Sequence, residues 1–228
     1  KLRGFKIIGP AEGYLASGNI SIGRMLEPED IISHISTILG KKGDLQGKTF
    51  VITAGPTREP IDPIRYISNN SSGKMGYAIA HVTRDRGAKT ILVTGPTQMP
   101  PPIGIDAIQT NTANEMYETL QEVCINADVL IMAAAVSDWA PTSIKKDKIK
   151  KFGKTEYTLK TKRTLDILSN INYDNLFKVG FAAETKNLEE NAKKKLIDKK
   201  LDVIVANNIT EKGAGFSLDT NKVTIIDN

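Results

Sequence analysis

Short apolar runs alternate along most of this chain with stretches in which apolar residues recur every three or four positions. Thr49–Thr53, Thr90–Val93, Asp106–Gln109, Asp128–Ala135, Phe177–Ala182, Asp202–Val205 and Lys222–Ile226 have the length and content of strands. Between them, Lys74–Arg86 carries Met75, Ala78, Ile79 and Val82 at helical spacing. Thr112–Ala127 does the same with Met116, Leu120, Val123 and Ala127, and Leu188–Lys200 is a third helical segment. Gly95–Gly104, with four prolines, is a loop. Strands that are apolar throughout, alternating with helices, predict an α/β fold. It is a doubly wound, mostly parallel, Rossmann-like sheet with helices on both faces. Ligands in such sheets sit beyond the strand C-termini at a topological switch point. The loops after Thr53, Ala135 and Ala182 should therefore surround one site.

The first 40 residues do not follow this pattern. Gly9–Gly23 reads as loop and Glu27–Leu39 as a short helix, and the polar, glycine-punctuated stretch 41–47 reads as a linker. The opening Lys1-Leu-Arg-Gly-Phe-Lys lacks an initiator Met and the apolar core of a signal peptide, which suggests a boundary inside a longer protein.

Composition narrows the function classes. At 40% hydrophobic and 25% charged, the 228 residues are those of an ordinary globular protein, and no apolar stretch is long enough to span a bilayer. A single cysteine, Cys124, cannot form an internal disulfide, so a cytoplasmic location is expected and Cys124 reads as a small apolar helix residue. Of the net charge of +5, residues 145–163 alone supply +7, leaving −2 for the rest. A single basic patch whose two aromatics, Phe152 and Tyr157, are not interleaved through it as a single-strand binder wants suits a small polyanion such as a triphosphate at least as well as nucleic acid. With only His34 and His81, there is no Cys/His cluster for a protein-bound zinc and no Ser/His/Asp set. No protein metal ligands are expected. A reaction whose nucleophile is an already ionised carboxylate meets those limits.

Three loops carry candidate chemistry. The first contains Gly55 and then Asn69-Asn-Ser71-Ser72-Gly73-Lys-Met-Gly76, where Ser71, Ser72 and Gly73 open a helix whose first N–H groups make an anion site. It is neither a P-loop, since Ser68 stands where the leading Gly belongs and Met75 follows the Lys, nor a dinucleotide fingerprint, since only Gly73 and Gly76 fit. The second loop is Met132-Ala133-Ala134-Ala-Val-Ser-Asp138-Trp139. Its small side chains let a flat base approach the backbone; Asp138 either accepts from an amino or ribose group or closes a turn. Downstream, Lys148 in Lys148-Ile-Lys-Lys151 either joins the site or lies on a solvated face. The third loop is Gly180-Phe181-Ala-Ala-Glu-Thr185, followed by Lys195 and Lys199 on one helical stripe. Phe181 either flanks a base or fills the core; the lysines either reach phosphates or face water.

Together, ITAGPTRE, DPIRYISNNSSGKMG, AAAVSDW, DKIKK and GFAAET, in that order and spacing, resemble bacterial phosphopantothenate–cysteine ligase, the phosphopantothenoylcysteine synthetase family. The resemblance runs through most of residues 47–228. It implies CTP as co-substrate with Mg²⁺, 4′-phosphopantothenate and L-cysteine as substrates, and a homodimer whose subunits complete each other's acyl-substrate site. It further implies that Asn69 and Lys148 are catalytic. Met132, Ala133, Ala134, Asp138, Lys148, Phe181, Lys195 and Lys199 would contact CTP. The family's Asn-Pro-Asp-Ile contact segment appears as Thr164-Leu165-Asp166-Ile167, with Leu165 in place of Pro. Residues 48–228 would then be the ligase domain, short of its usual C-terminal stretch. Residues 1–40 would be the tail of a decarboxylase domain whose flavin-binding part is absent. There Ser17 and Asn19 stand where that family carries Cys and Asp. An oxidoreductase would want the full glycine fingerprint and an acid about twenty residues on, and a nucleic-acid module would act through the patch 145–163.

Overall fold

A computed structural model describes residues 3–151, 153, 155–184, 187–208 and 220–227, and all of Glu184 except its side chain. Phe152 and Lys154 of the basic patch, Thr185 of GFAAET and the stretch 209–219 lie outside the described residues. The elements, in chain order, begin with the hairpin β1 (Ala11–Tyr14) and β2 (Ile20–Arg24) and the helix α1 (Pro28–Leu39). Next come β3 (Thr49–Ala54), the small hairpin β4 (Arg58–Pro60) and β5 (Tyr66–Ser68), α2 (Lys74–Asp85) and β6 (Lys89–Thr94). They continue as β7 (Asp106–Gln109), α3 (Ala113–Val123), β8 (Val129–Met132), β9 (Trp139–Pro141), β10 (Thr161–Arg163) and α4 (Ile167–Asn170). The last four are β11 (Phe177–Glu184), α5 (Leu188–Asp198), β12 (Val203–Asn208) and β13 (Val223–Asp227).

Seven of these strands form one sheet in the order β13-β12-β11-β8-β3-β6-β7, parallel throughout except for the antiparallel edge strand β13. The expected Rossmann-like α/β architecture is the one observed. Its central strands are apolar on both sides because both faces are covered. Along β3, Val51 joins a core with Val93, Met116, Leu120 and Leu130, whereas its neighbour Ile52 joins a second core with Tyr77, Ala80 and Leu92. Alternating residues thus enter different layers. Each such fully buried aliphatic side chain contributes about 1.5–3 kcal/mol relative to exposure.

Local chemistry sets the helix ends. Thr112 caps α3 by accepting from the Glu115 N–H at 3.2 Å, and the Glu115 carboxylate returns to accept from the Asn111 N–H at 2.8 Å. Gly76 lets α2 lie against β3, since a Cβ there would come within 2.7 Å of the Thr53 carbonyl. Cys124 is buried in the first core, where desolvation pushes its thiol up to about 12, so it is inert.

The structure differs from the sequence pattern in four places. Gly9–Gly23 holds the β1–β2 hairpin rather than loop; its β2 residues are exposed throughout, so no alternation marks it. The loop after β3 contains the β4–β5 hairpin, and the basic region is bracketed by the β9–β10 pair. The strand expected over 128–135 ends at Met132, and the alanines that follow form the loop. Among the described residues, no helix is long and apolar enough to cross a membrane.

Candidate functional site

Strand order reverses direction at β3, which feeds β6 on one side while β8 lies on the other. At this switch point the loops leaving β3 and β8 run together. Pro56 and Ala135 form a parallel bridge, the Ala135 N–H donates to the Gly55 carbonyl at 2.8 Å, and the Thr57 N–H donates to the Ala135 carbonyl at 3.4 Å. Thr57 Oγ1 accepts from the Ser137 N–H at 3.0 Å, and Thr53 Oγ1 accepts from the Ala134 N–H at 3.0 Å. A buried threonine near the end of β3 and another on the loop after it therefore fix the backbone of the second loop.

Thr164 fastens the next segment to the same loop. Its Oγ1 donates to the Ser137 carbonyl at 2.6 Å and its N–H to the Asp138 carbonyl at 3.0 Å. Asp166 then caps α4, accepting from the Ser169 N–H at 3.2 Å, and forms an ion pair with Lys199. Lys195, one turn earlier on α5, donates to the Phe181 carbonyl at 2.8 Å.

These segments enclose a cleft of about 1350 Å³, ample for a nucleotide. Of the expected nucleotide positions, Met132, Ala133, Ala134, Asp138, Leu165, Asp166, Ile167, Phe181, Lys195 and Lys199 all line it, as do Asn69, Ser71, Ser72 and Gly73. Two expected residues do not. Gly55 lies beneath the floor, at φ 72° and against Gly73. Lys148 is exposed outside the cleft lining, on a segment tied to the β4–β5 turn.

Individual roles are refined by the geometry. The Met132 side chain is buried against Thr53, so its backbone is what the cleft can meet. The first amides of α2 are not open: the Gly73 N–H donates to Ser71 Oγ at 3.3 Å and the Lys74 N–H to Ser72 Oγ at 3.4 Å. An anion there must displace these long bonds. Asn69 Nδ2 donates to the Ala135 and Val136 carbonyls at 3.2 and 2.9 Å, so its amide group is turned onto the loop after β8.

The sequence reading missed several lining residues. Arg163 lies over the Trp139 ring at 5.9 Å, joined by the register of β9 with β10, and both line the cleft. Strand pairing across 24 positions leaves no local signal, although Trp139 ends a motif and Arg163 ends the basic patch. His81 also lines the cleft, and burial holds its imidazole below the usual value, hence neutral at pH 7. Among the described residues no cluster of His, Cys, Asp or Glu is arranged to hold a metal ion.

A large cleft at the switch point of a parallel sheet, lined by small residues after β8 and by Arg163, Lys195 and Lys199, defines a doubly wound α/β protein with a ligand-sized site. Residues 45–228 match the family described as the DNA/pantothenate metabolism flavoprotein C-terminal domain, and the chain belongs to that family. It is 44% identical over 227 residues to the coenzyme A biosynthesis bifunctional protein CoaBC of Bacillus subtilis, covering 97% of this chain and 56% of that protein. A cysteine/cysteine sulfinic acid decarboxylase from an unknown prokaryotic organism is 43% identical over 235 residues, covering all of this chain and 65% of that protein. The crystal structure of the C-terminal domain of a CoaBC protein superposes with a TM-score of 0.67 at 43% identity, covering 80% of this chain and 83% of the other. The chain spans a little over half the length of the CoaBC relatives it matches.

Proposed function

We propose that this chain carries out the CTP-dependent joining of 4′-phosphopantothenate to L-cysteine in coenzyme A biosynthesis, in the cytoplasm. The observation that carries this reading is the convergence in one cleft of every expected nucleotide-contact position except Lys148. The phosphopantothenate carboxylate attacks the α-phosphorus of CTP and the bond to pyrophosphate breaks, leaving an acyl-cytidylate. The cysteine amine then attacks the acyl carbon, loses a proton, and CMP departs as the amide forms. Phe181 and the alanine loop hold the base, Asp138 reads its edge or the ribose, and Lys195 and Lys199 meet phosphates. Lys148 offsets charge on the departing pyrophosphate.

Mg²⁺ would supply further neutralisation of the triphosphate. Among the described residues, the carboxylates lining the cleft are Asp138 and Asp166, the latter paired with Lys199, which fits a metal held chiefly by phosphate oxygens.

The direct test is pyrophosphate release from CTP with phosphopantothenate, with and without cysteine. Release that depends on phosphopantothenate, with amide formed only when cysteine is added, is the expected outcome; no release from either mixture sinks the reading. CTP with Mg²⁺ should also raise the melting temperature more than ATP or GTP at equal concentration. Equal shifts for the three would remove the base-reading role of the alanine loop.

The same reading includes a homodimer. Sedimentation at micromolar concentration should give about twice the 24.9 kDa chain mass. A monomer that retains full ligase activity would rule out a shared acyl site.

A further inference from the structure

The turn between β4 and β5 contains a carboxylate that does more than hold the turn. The Asp62 side chain is fully buried, and both of its oxygens are saturated by donors. Oδ1 accepts from the Ile64 N–H at 2.9 Å and the Arg65 N–H at 2.8 Å. Oδ2 accepts from Arg65 Nε at 2.9 Å, Arg65 Nη2 at 2.5 Å and the Ile149 N–H at 3.0 Å. The bonds to Ile64 and Arg65 are local, whereas Ile149 lies 87 residues further on. Arg65 completes the grip, since Nη2 also donates to the Ile149 carbonyl at 2.7 Å. One peptide segment is thereby held at its N–H by Asp62 and at its carbonyl by Arg65. A third bond, from the Lys145 N–H to the Ile61 carbonyl at 2.9 Å, ties down the same segment.

The hairpin that makes this grip is itself fixed. The Arg58 N–H donates to the Asn111 carbonyl at 2.7 Å, and the buried Glu59 carboxylate accepts from the Ala113 N–H at 2.9 Å at the start of α3. Its second strand leads directly into Asn69. The bracket therefore carries Asn69 at one end and holds the neighbour of Lys148 at the other.

We propose that Asp62 is a positioning residue for the ligase reaction, acting with Arg65 to clamp Ile149 and so set where Lys148 stands relative to Asn69. This rests on the reading of Lys148 given above. The Arg65 guanidinium keeps the Asp62 carboxyl well below the usual carboxylate range, so the clamp is charged at any working pH. No neutral isostere can replace it. Both oxygens face donors, so the amide introduced by Asp62→Asn would, in either flip, set its NH₂ against N–H groups.

The test is a double-mutant cycle on pyrophosphate release in the full chain, with hydrogen exchange at the Lys145 and Ile149 amides. Asp62→Asn should slow release by about ten- to a hundredfold. In a Lys148→Ala background the same change should cost less than about twofold, because the clamp then has nothing left to position. Exchange at Ile149 should speed up by about tenfold or more. Arg65→Met, at a half-exposed side chain, should show the same pattern while leaving the turn's backbone bonds to Asp62 in place, which covers the case in which Asp62→Asn does not fold. Equal fold-losses in the two backgrounds, or unchanged exchange in both clamp variants, would overturn the proposal. A silent Lys148→Ala with faster exchange would instead overturn the role given to Lys148, while confirming the clamp.

Discussion

Gly95→Ala is expected to destabilise the protein by about 3 kcal/mol or more, the upper end of what overpacking costs. Gly95 follows β6, and its N–H donates to the Ala54 carbonyl at 2.9 Å. A Cβ there would lie 1.8 Å from the Pro56 carbonyl oxygen and 2.7 Å from its carbon. Backbone cannot rotate out of the way as a side-chain end can. Pro56 is also held from the far side by its bridge to Ala135. Relieving the clash means moving the loop after β6 away from the loop after β3, or pushing Pro56 against Ala135 on the loop after β8. For a chain of this size the melting temperature should fall by roughly 6–12 °C, and CTP-induced stabilisation should weaken with it. Gly13→Ala is the matched control. Its Cβ would meet the Arg24 Cδ at 2.7 Å, part of a flexible and half-exposed side chain that can move aside. Thermal unfolding by circular dichroism compares the two. A Gly95→Ala protein melting within about two degrees of wild type would mean that the loops at the switch point are not locked as described.

That lock explains why the site was largely readable from sequence and where reading stopped. Val51, Ile52, Leu92 and Leu130 sit in apolar runs because both sheet faces are covered, and the runs announce the strands. Once the strands are parallel, the rule placing ligands at their C-terminal ends selects the loops after Thr53 and Ala182, and the alanines that continue the Val129–Met132 run form the third loop. The hairpins are another matter. β4 and β5 are three residues each, Arg-Glu-Pro and Tyr-Ile-Ser, with no alternation to detect. Their stability comes from non-local bonds, such as Glu59 to Ala113, that no window of sequence contains. For the same reason nothing in the sequence sets Asp62 apart from its neighbours until Ile149 is seen beside it. Lys148 marks the opposite limit. Its role came from resemblance alone, and the fold leaves it outside the cleft lining. Cytosine, too, was selected by the resemblance; strand periodicity says only that a flat base can approach.

The two residues assigned to the chemistry should fail at different steps. Lys148→Ala removes a cation expected on the phosphates, worth about 1.5–3 kcal/mol as a charge-assisted contact. At about 1.36 kcal/mol per tenfold, pyrophosphate release should slow by ten- to a few hundred-fold. The resemblance puts Asn69 at the acyl group, where on the proposed mechanism the carbonyl oxygen would gain charge as the cysteine amine attacks. Its Nδ2 already donates to the Ala135 and Val136 carbonyls at 3.2 and 2.9 Å, so the reacting oxygen must take over part of that donation. Those bonds are exposed and contribute only about 0.5–1.5 kcal/mol each, which makes the exchange inexpensive. Asn69→Asp keeps the shape but sets an anion against two loop carbonyls and against the oxyanion itself. The strained loop should lower pyrophosphate release modestly, while amide formation is lost far more completely. Acyl-cytidylate should then accumulate in a single turnover and be visible by mass spectrometry, whereas Lys148→Ala should accumulate none. Should Lys148→Ala build up the intermediate while Asn69→Asp never activates the acid, the two assignments are reversed. If Asn69→Asp leaves the ratio of pyrophosphate to amide unchanged, Asn69 acts only by holding the loop after β8 in place.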